Sequence, residues 1–169
     1  LLPALAAKGL PADPQGWGQL RKRLAELSVK QPSGVRTSPL AGRLLNRRWE
    51  FAANDLEFAS VEFVSADTDK HLILKLNWDG KLLEIPAGFG EWKQGRAAYP
   101  ASWPLRLPDE PVAGTFAWVA EDTLVVKFCA SETPGHMTFT LKVAADLVTC
   151  TAESNVAFAA TRLKVLPGN

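Results

Sequence analysis

Apolar residues recur at every second position through most of the chain from about residue 43 onward, in short segments separated by turn residues. In segment 70–78, Leu72, Leu74, Leu76 and Trp78 fall on one face and His71, Lys75 and Asn77 on the other. In 136–144, Met137, Phe139, Leu141 and Val143 repeat the pattern. Successive side chains of a strand point to opposite faces, so this period predicts strands with one buried and one wet face. The same reading gives candidate strands at 44–52, 57–65, 70–78, 81–86, 114–120, 123–130, 136–144 and 147–153. Asp79-Gly80 fits a two-residue hairpin turn, and Glu121-Asp122 and Ala145-Asp146 mark further reversals.

Strands that are apolar on one side must bury that side together, and closing the sheet does so while removing its edges. The expected fold is mainly β: an eight-stranded antiparallel meander closed into a lipocalin-like barrel over residues 43–169. The stretch 87–113 carries Pro100, Pro104, Pro108 and Pro111 and is expected to wrap around the barrel, pinned by Trp92, Tyr99 and Trp103. Proline donates no ladder hydrogen bond, which excludes a central strand there.

Residues 1–42 read differently. Asp13-Pro14 places a capping side chain before a proline at the first helical position, and Trp17, Leu20, Leu24 and Leu27 follow at helical spacing. One amphipathic helix of about 14 residues is expected. Segment 31–39, with Pro32 and Pro39, ends it as a linker or extended strap. Residues 1–50 hold nine Lys/Arg against three acids, while the rest holds ten against fifteen, although the whole chain is nearly neutral at +1. A basic leader beside an acidic body fits an electrostatic seam better than a phosphate-binding arm, so no nucleic-acid partner is expected. No run approaches the ~18 apolar residues of a membrane helix, so no transmembrane segment is expected. The apolar start Leu1–Ala7 has neither an initiator Met nor a basic segment before it, and reads as a cut through a longer protein.

Catalytic patterns are sparse. None of the eight serines has Lys three positions on, and no Cys-x-x-Cys or His-Glu-x-x-His occurs. Gly90 to Ala97 has P-loop glycine spacing, but Arg96 and Ala97 replace the Lys and Ser/Thr that phosphate and Mg²⁺ chemistry needs. Cys129 and Cys150 fall in the sixth and eighth candidate strands with a whole strand between them, which predicts two free thiols. His71 and His136 make no metal site without carboxylate help, and neither a metal nor a cofactor is expected. Glu132 and His136 sit on one turn and are an acid/base candidate. Trp92 and Trp118 are candidates for lining a ligand cavity, and Trp17 for an interface.

Four segments in order carry a family resemblance: Gly88-Phe89-Gly90-Glu91-Trp92, then Trp118 to Leu124, then Glu132-Thr133-Pro134, then Glu153-Ser154-Asn155-Val156-Ala157-Phe158. They resemble the C-terminal β domain of serine hydrolases related to class C β-lactamases and penicillin-binding proteins. The resemblance covers about 43–169. That family's nucleophilic Ser-x-x-Lys, Tyr-x-Asn and Lys-Thr-Gly-like motifs do not occur in this sequence, so no catalytic residue carries over. It implies a non-catalytic accessory domain whose partner is an upstream catalytic domain of the same chain, with residues 1–42 as the connector, and a role in substrate access or oligomerisation. The alternative is a free-standing lipocalin-like barrel binding a small apolar ligand. The residues leave the compartment open.

Overall fold

The computed structural model describes residues 12–66, 70–99, 109–144 and 147–155. The chain divides into two compact units, 1–30 and 31–169. In the first, helix α1 (Pro14–Glu26) begins as the sequence dictates: the Asp13 carboxylate accepts from the Gly16 N–H at 2.9 Å, and Pro14 opens the first turn. No residue of α1 is buried.

The second unit is mainly β. A four-residue helix α2 (Ala41–Leu44) leads into β1 (Arg48–Glu50), β2 (Phe58–Ser65), β3 (His71–Trp78), β4 (Lys81–Phe89), β5 (Lys93–Ala97), β6 (Glu110–Ala120), β7 (Thr123–Ala130), β8 (His136–Ala144) and β9 (Leu147–Ser154). The strands form one curled sheet, a half-barrel, in the order β1-β2-β3-β4-β6-β7-β8-β9, with β5 also pairing to β6. Burial alternates at every residue in β3 and β7, as a strand with one wet face requires. Asp79 and Gly80 both have positive φ, 46° and 71°, the primed turn that suits the twist of a hairpin.

Within this mainly β architecture the sheet departs from an all-antiparallel closed meander at two places. Strands β4 and β6 run parallel through Ala87↔Gly114, Gly88↔Thr115 and Phe89↔Phe116. Among the described residues no ladder joins β1 to β9. The parallel pair exists because the expected wrap over 87–113 contains strand: β4 runs on to Phe89, the chain reverses at Gly90, and β5 pairs antiparallel to the start of β6. Pro111 is tolerated because it faces Arg96 at the end of β6, where the β7 ladder starts only at Val112. Gly114 is the joint, opposite Ala87, Lys93 and Phe128 at once. A Cβ there would run into the Pro86 carbonyl. Trp103 and the Ala145-Asp146 turn lie outside the described residues. The candidate strand 44–52 is also divided: Leu44 ends α2, and Asn46 turns the chain at φ 58° before β1.

The interior is filled rather than hollow. Phe58 on β2 meets Phe139 on β8 at 5.9 Å between ring centroids, Trp78 at 5.0 Å and Phe51 at 6.2 Å, while Phe128 stacks on Phe139 at 6.3 Å. Leu74, Leu76, Ile85, Leu124 and Leu141 are wholly buried around them. Each such side chain contributes about 1.5–3 kcal/mol on leaving water, and their shared interior is what curls the sheet until β2 faces β8.

The strap before β1 is also tied in. Val35 and Trp118 exchange two backbone hydrogen bonds of 2.9 Å, and the Ser38 hydroxyl donates to the Glu121 carbonyl. A Cβ at Gly34 would land on the Trp118 carbonyl oxygen, so glycine is needed for this close approach.

Candidate functional site

Polar chemistry gathers at the end of the half-barrel where β6 begins and the β7–β8 hairpin turns. Glu110, Val112, Gly114, Phe116 and Trp118 share the inner face of β6, so strand period places the Glu110 carboxylate inside. It is 0 % exposed, and neither oxygen has a hydrogen-bond partner among the described residues. Burial raises its pKa above the ordinary carboxylate value, and the nearby charge of Glu132 adds to the shift. Glu110 faces Ala97 across the β5–β6 ladder, and Tyr99 follows two residues on. The Tyr99 phenol is raised in turn, by burial first and then by the charge of Glu110.

Beside them lies a small crevice lined by Trp78, Tyr99, Phe128, Met137, His136 and Ser154. Its volume of about 10 Å³ is the space of one water. Trp78 and Tyr99 meet edge to face, 5.9 Å between centroids. His136 lies opposite Cys129 in register; burial lowers the imidazole's pKa, and Lys127 adds to this. Burial also raises the Cys129 thiol, which Lys127 partly offsets, and pushes Cys150 up to about 12. Both thiols are free, on β7 and β9 with β8 between them, and neither has the depressed pKa of a nucleophile.

One side chain closes the turn at this end. The His136 N–H donates to Asn155 Oδ1 at 2.6 Å, and Asn155 Nδ2 donates to the Pro134 carbonyl at 2.7 Å. The Glu132-Thr133-Pro134 turn and the segment beginning at Glu153 are thereby clamped together. On the other side of the sheet, Thr115 Oγ1 donates to the Gly88 carbonyl at 3.1 Å, joining the Gly88–Trp92 segment to β6 just before Trp118. Val156 to Phe158 lie outside the described residues.

The residues singled out by sequence are dispersed. Trp17 stands 60 % exposed on α1. Trp92 is half-buried in the bend between β4 and β5, and Trp118 is sealed in the core at 1 % exposure. Glu132 and His136 share the β7–β8 turn, yet no hydrogen bond or ion pair joins them; Glu132 is exposed and His136 half-buried. The His–carboxylate pair that forms is His71 Nε2 with Glu91 Oε1, at 3.0 Å, and that hydrogen bond lowers the Glu91 pKa. Among the described residues no group of three or more His, Cys, Asp or Glu is placed to hold a metal, and no helix is long and apolar enough to cross a membrane.

Glu110 was not singled out by sequence, and Asn155 entered only as part of the resembling segment 153–158. Extending the period of β6 backward from Phe116 through Gly114 and Val112 would have put Glu110 on the apolar face, but Pro108 and Pro111 argued against a strand there. No protein-family model matches the chain, and no curated protein or solved structure matches it at a significant level.

Proposed function

We propose that this chain is a non-catalytic accessory domain of a serine hydrolase related to class C β-lactamases and penicillin-binding proteins, docking on its catalytic domain through α1. The observation that carries this reading is the apolar stripe of that helix. Trp17, Leu20, Leu24 and Leu27 are 60, 46, 55 and 68 % exposed. A helix of 13 residues is marginal in water, and Gly16 and Gly18 in its first turns cost about 1 kcal/mol each relative to Ala. Such a helix draws its stability from a surface that covers its stripe.

The resemblance supplies the identity of that surface. Its segments serve as joints of the sheet, with Asn155 fastening the Glu132–Pro134 turn and Thr115 fastening Gly88. Structural joints are what an accessory domain would retain, and the acyl-transfer chemistry would reside in the upstream domain. The packed aromatic interior gives the alternative, a barrel holding a small apolar ligand, less support.

An antibody raised against residues 31–155 tests the reading in the source cells. A species much heavier than 18.4 kDa that is labelled by a fluorescent penicillin is expected. A species of 18.4 kDa, or a heavier one without a penicillin-reactive or fluorophosphonate-reactive serine, would overturn it.

A further inference from the structure

The exposed stripe of α1 also carries a pattern that describes its partner. Trp17 recurs as Leu24 and Leu20 as Leu27 one heptad later, with Leu27 at the C-cap. They occupy positions a and d of a heptad, and no other large apolar residue stands in the helix. A stripe confined to a and d is the narrow seam by which one helix packs along another, whereas a helix covering a globular core shows a wider apolar face.

The flanks of this seam are Arg21 at position e and Arg23 at position g; the other flanking positions hold Gly16 and Ser28. Side chains at e and g pair across a helix–helix interface and set the choice of partner. Both arginines are exposed, and neither has an ion pair or hydrogen bond among the described residues. The acid within the helix, Glu26, lies at c on the outer face, 4.0 Å from Lys22 Nζ, so no negative charge borders the seam. A second copy of α1 does not answer this pattern. An antiparallel pair sets each arginine against its own counterpart, a like-charge contact on both flanks, and a parallel pair sets them against the glycine and serine positions. An anionic lipid surface answers it no better. From Asp13 to Leu27 three Lys/Arg stand against two acids, short of the about four to eight cations of a lipid-binding helix.

We propose that α1 docks on a helix of the upstream domain that carries carboxylates on both sides of an apolar seam, one flank meeting Arg21 and the other Arg23. Guanidinium and carboxylate match as planar forks, which suits arginine rather than lysine at both flanks. This names the chemistry of the partner surface and rests on the docking role given to α1 above.

The test uses the 169-residue chain and two fluorescein-labelled peptides of three heptads, both with Ile at a and Leu at d, one with Glu and the other with Lys at every e and g. Fluorescence anisotropy is expected to show saturable binding of the Glu peptide, and binding of the Lys peptide roughly tenfold weaker or less, since two flanking ion pairs become two repulsions. Arg21→Glu with Arg23→Glu should reverse that preference, and Leu24→Gln should abolish binding of both peptides. Raising NaCl from about 50 to 500 mM should weaken the Glu peptide several-fold, because the flanking charges are exposed. None of these residues is buried, so the variants spare the sheet. The proposal is overturned if the Glu peptide does not bind, if both peptides bind equally, or if the double arginine variant keeps the wild-type preference. It is also overturned if the chain dimerises through Leu24 or sediments with phosphatidylglycerol vesicles while ignoring the Glu peptide. Failure here is separable from failure of the accessory-domain reading. A penicillin-labelled long chain whose α1 ignores the Glu peptide refutes the acidic-flanked helix alone, whereas an 18.4 kDa species in the source cells refutes the upstream domain.

Discussion

Replacing Asn155 by alanine removes one side chain but undoes two connections. Its Oδ1 accepts from the His136 N–H at 2.6 Å, and its Nδ2 donates to the Pro134 carbonyl at 2.7 Å. A net hydrogen bond contributes about 0.5–1.5 kcal/mol. Both of these are exposed, so water replaces part of what is lost, and the pair should sum to about 1–2 kcal/mol. For a unit of this size that is a fall in Tm of about 3–8 °C. The effect should also be local. The turn leaving β7 is held by Thr133 N–H to the Ala130 carbonyl and by the Gly135 N–H to Thr133 Oγ1, and these bonds remain. Amide hydrogen exchange should therefore accelerate at His136 while Phe139 and Leu141, deep in β8, keep their protection. Asn155→Asp separates the two bonds, because a carboxylate still accepts from the His136 N–H but donates nothing to Pro134. Its loss should fall between those of wild type and Asn155→Ala. Urea denaturation and exchange read by NMR measure both quantities. An Asn155→Ala stability within about 0.3 kcal/mol of wild type, or unchanged exchange at His136, would refute the clamp as the reason this turn and β9 stay together.

Two further outcomes follow from the same sheet. Gly114→Ala should destabilise by about 1–3 kcal/mol in thermal melts, because the added carbon meets the Pro86 backbone and three strands share that position; a loss under about 0.5 kcal/mol would mean the joint relaxes freely. Glu110 has a folded pKa raised above its ordinary 4.5, so the folded state holds this proton more tightly than the unfolded one. Its contribution is then present below about pH 4.5 and is lost as pH rises through the folded pKa. Tm measured from pH 4 to 8 should show Glu110→Gln gaining on wild type as pH rises, and a constant difference would remove burial as the cause.

How far the chain explains itself depends on the range of the interactions involved. Helix α1 and its Asp13 cap were legible because both signals lie within one turn. Strands β3 and β7 were legible because their alternation is local and uninterrupted, and β2, β4, β8 and β9 because enough of it survives locally around bulges and strand ends. The break at Asn46 was hidden because Leu45, Trp49 and Phe51 keep a period of two across it, though asparagine is one of the few residues that adopt positive φ readily. The parallel pairing of β4 with β6 left no local mark: period two says which face a side chain takes, not which strand lies beside it. At the candidate site, the Glu132–His136 turn was visible as a turn, whereas Glu110 was masked by the prolines around it. Asn155 lies 19 and 21 residues from its partners, a separation that spacing within one segment does not encode.

The strap over residues 31–39 has a mechanical meaning. A pull carried along the backbone from its N-terminal side meets the sheet at Val35 and Ser38. There it meets two backbone hydrogen bonds to Trp118 and one side-chain bond to Glu121. These lie at the β6–β7 hairpin, on a strand whose far end holds Glu110, so a pull on the leader is transmitted along β6 as tension between the two ends of one strand. Trp118, locked in the core, is the fixed point against which such a load would act.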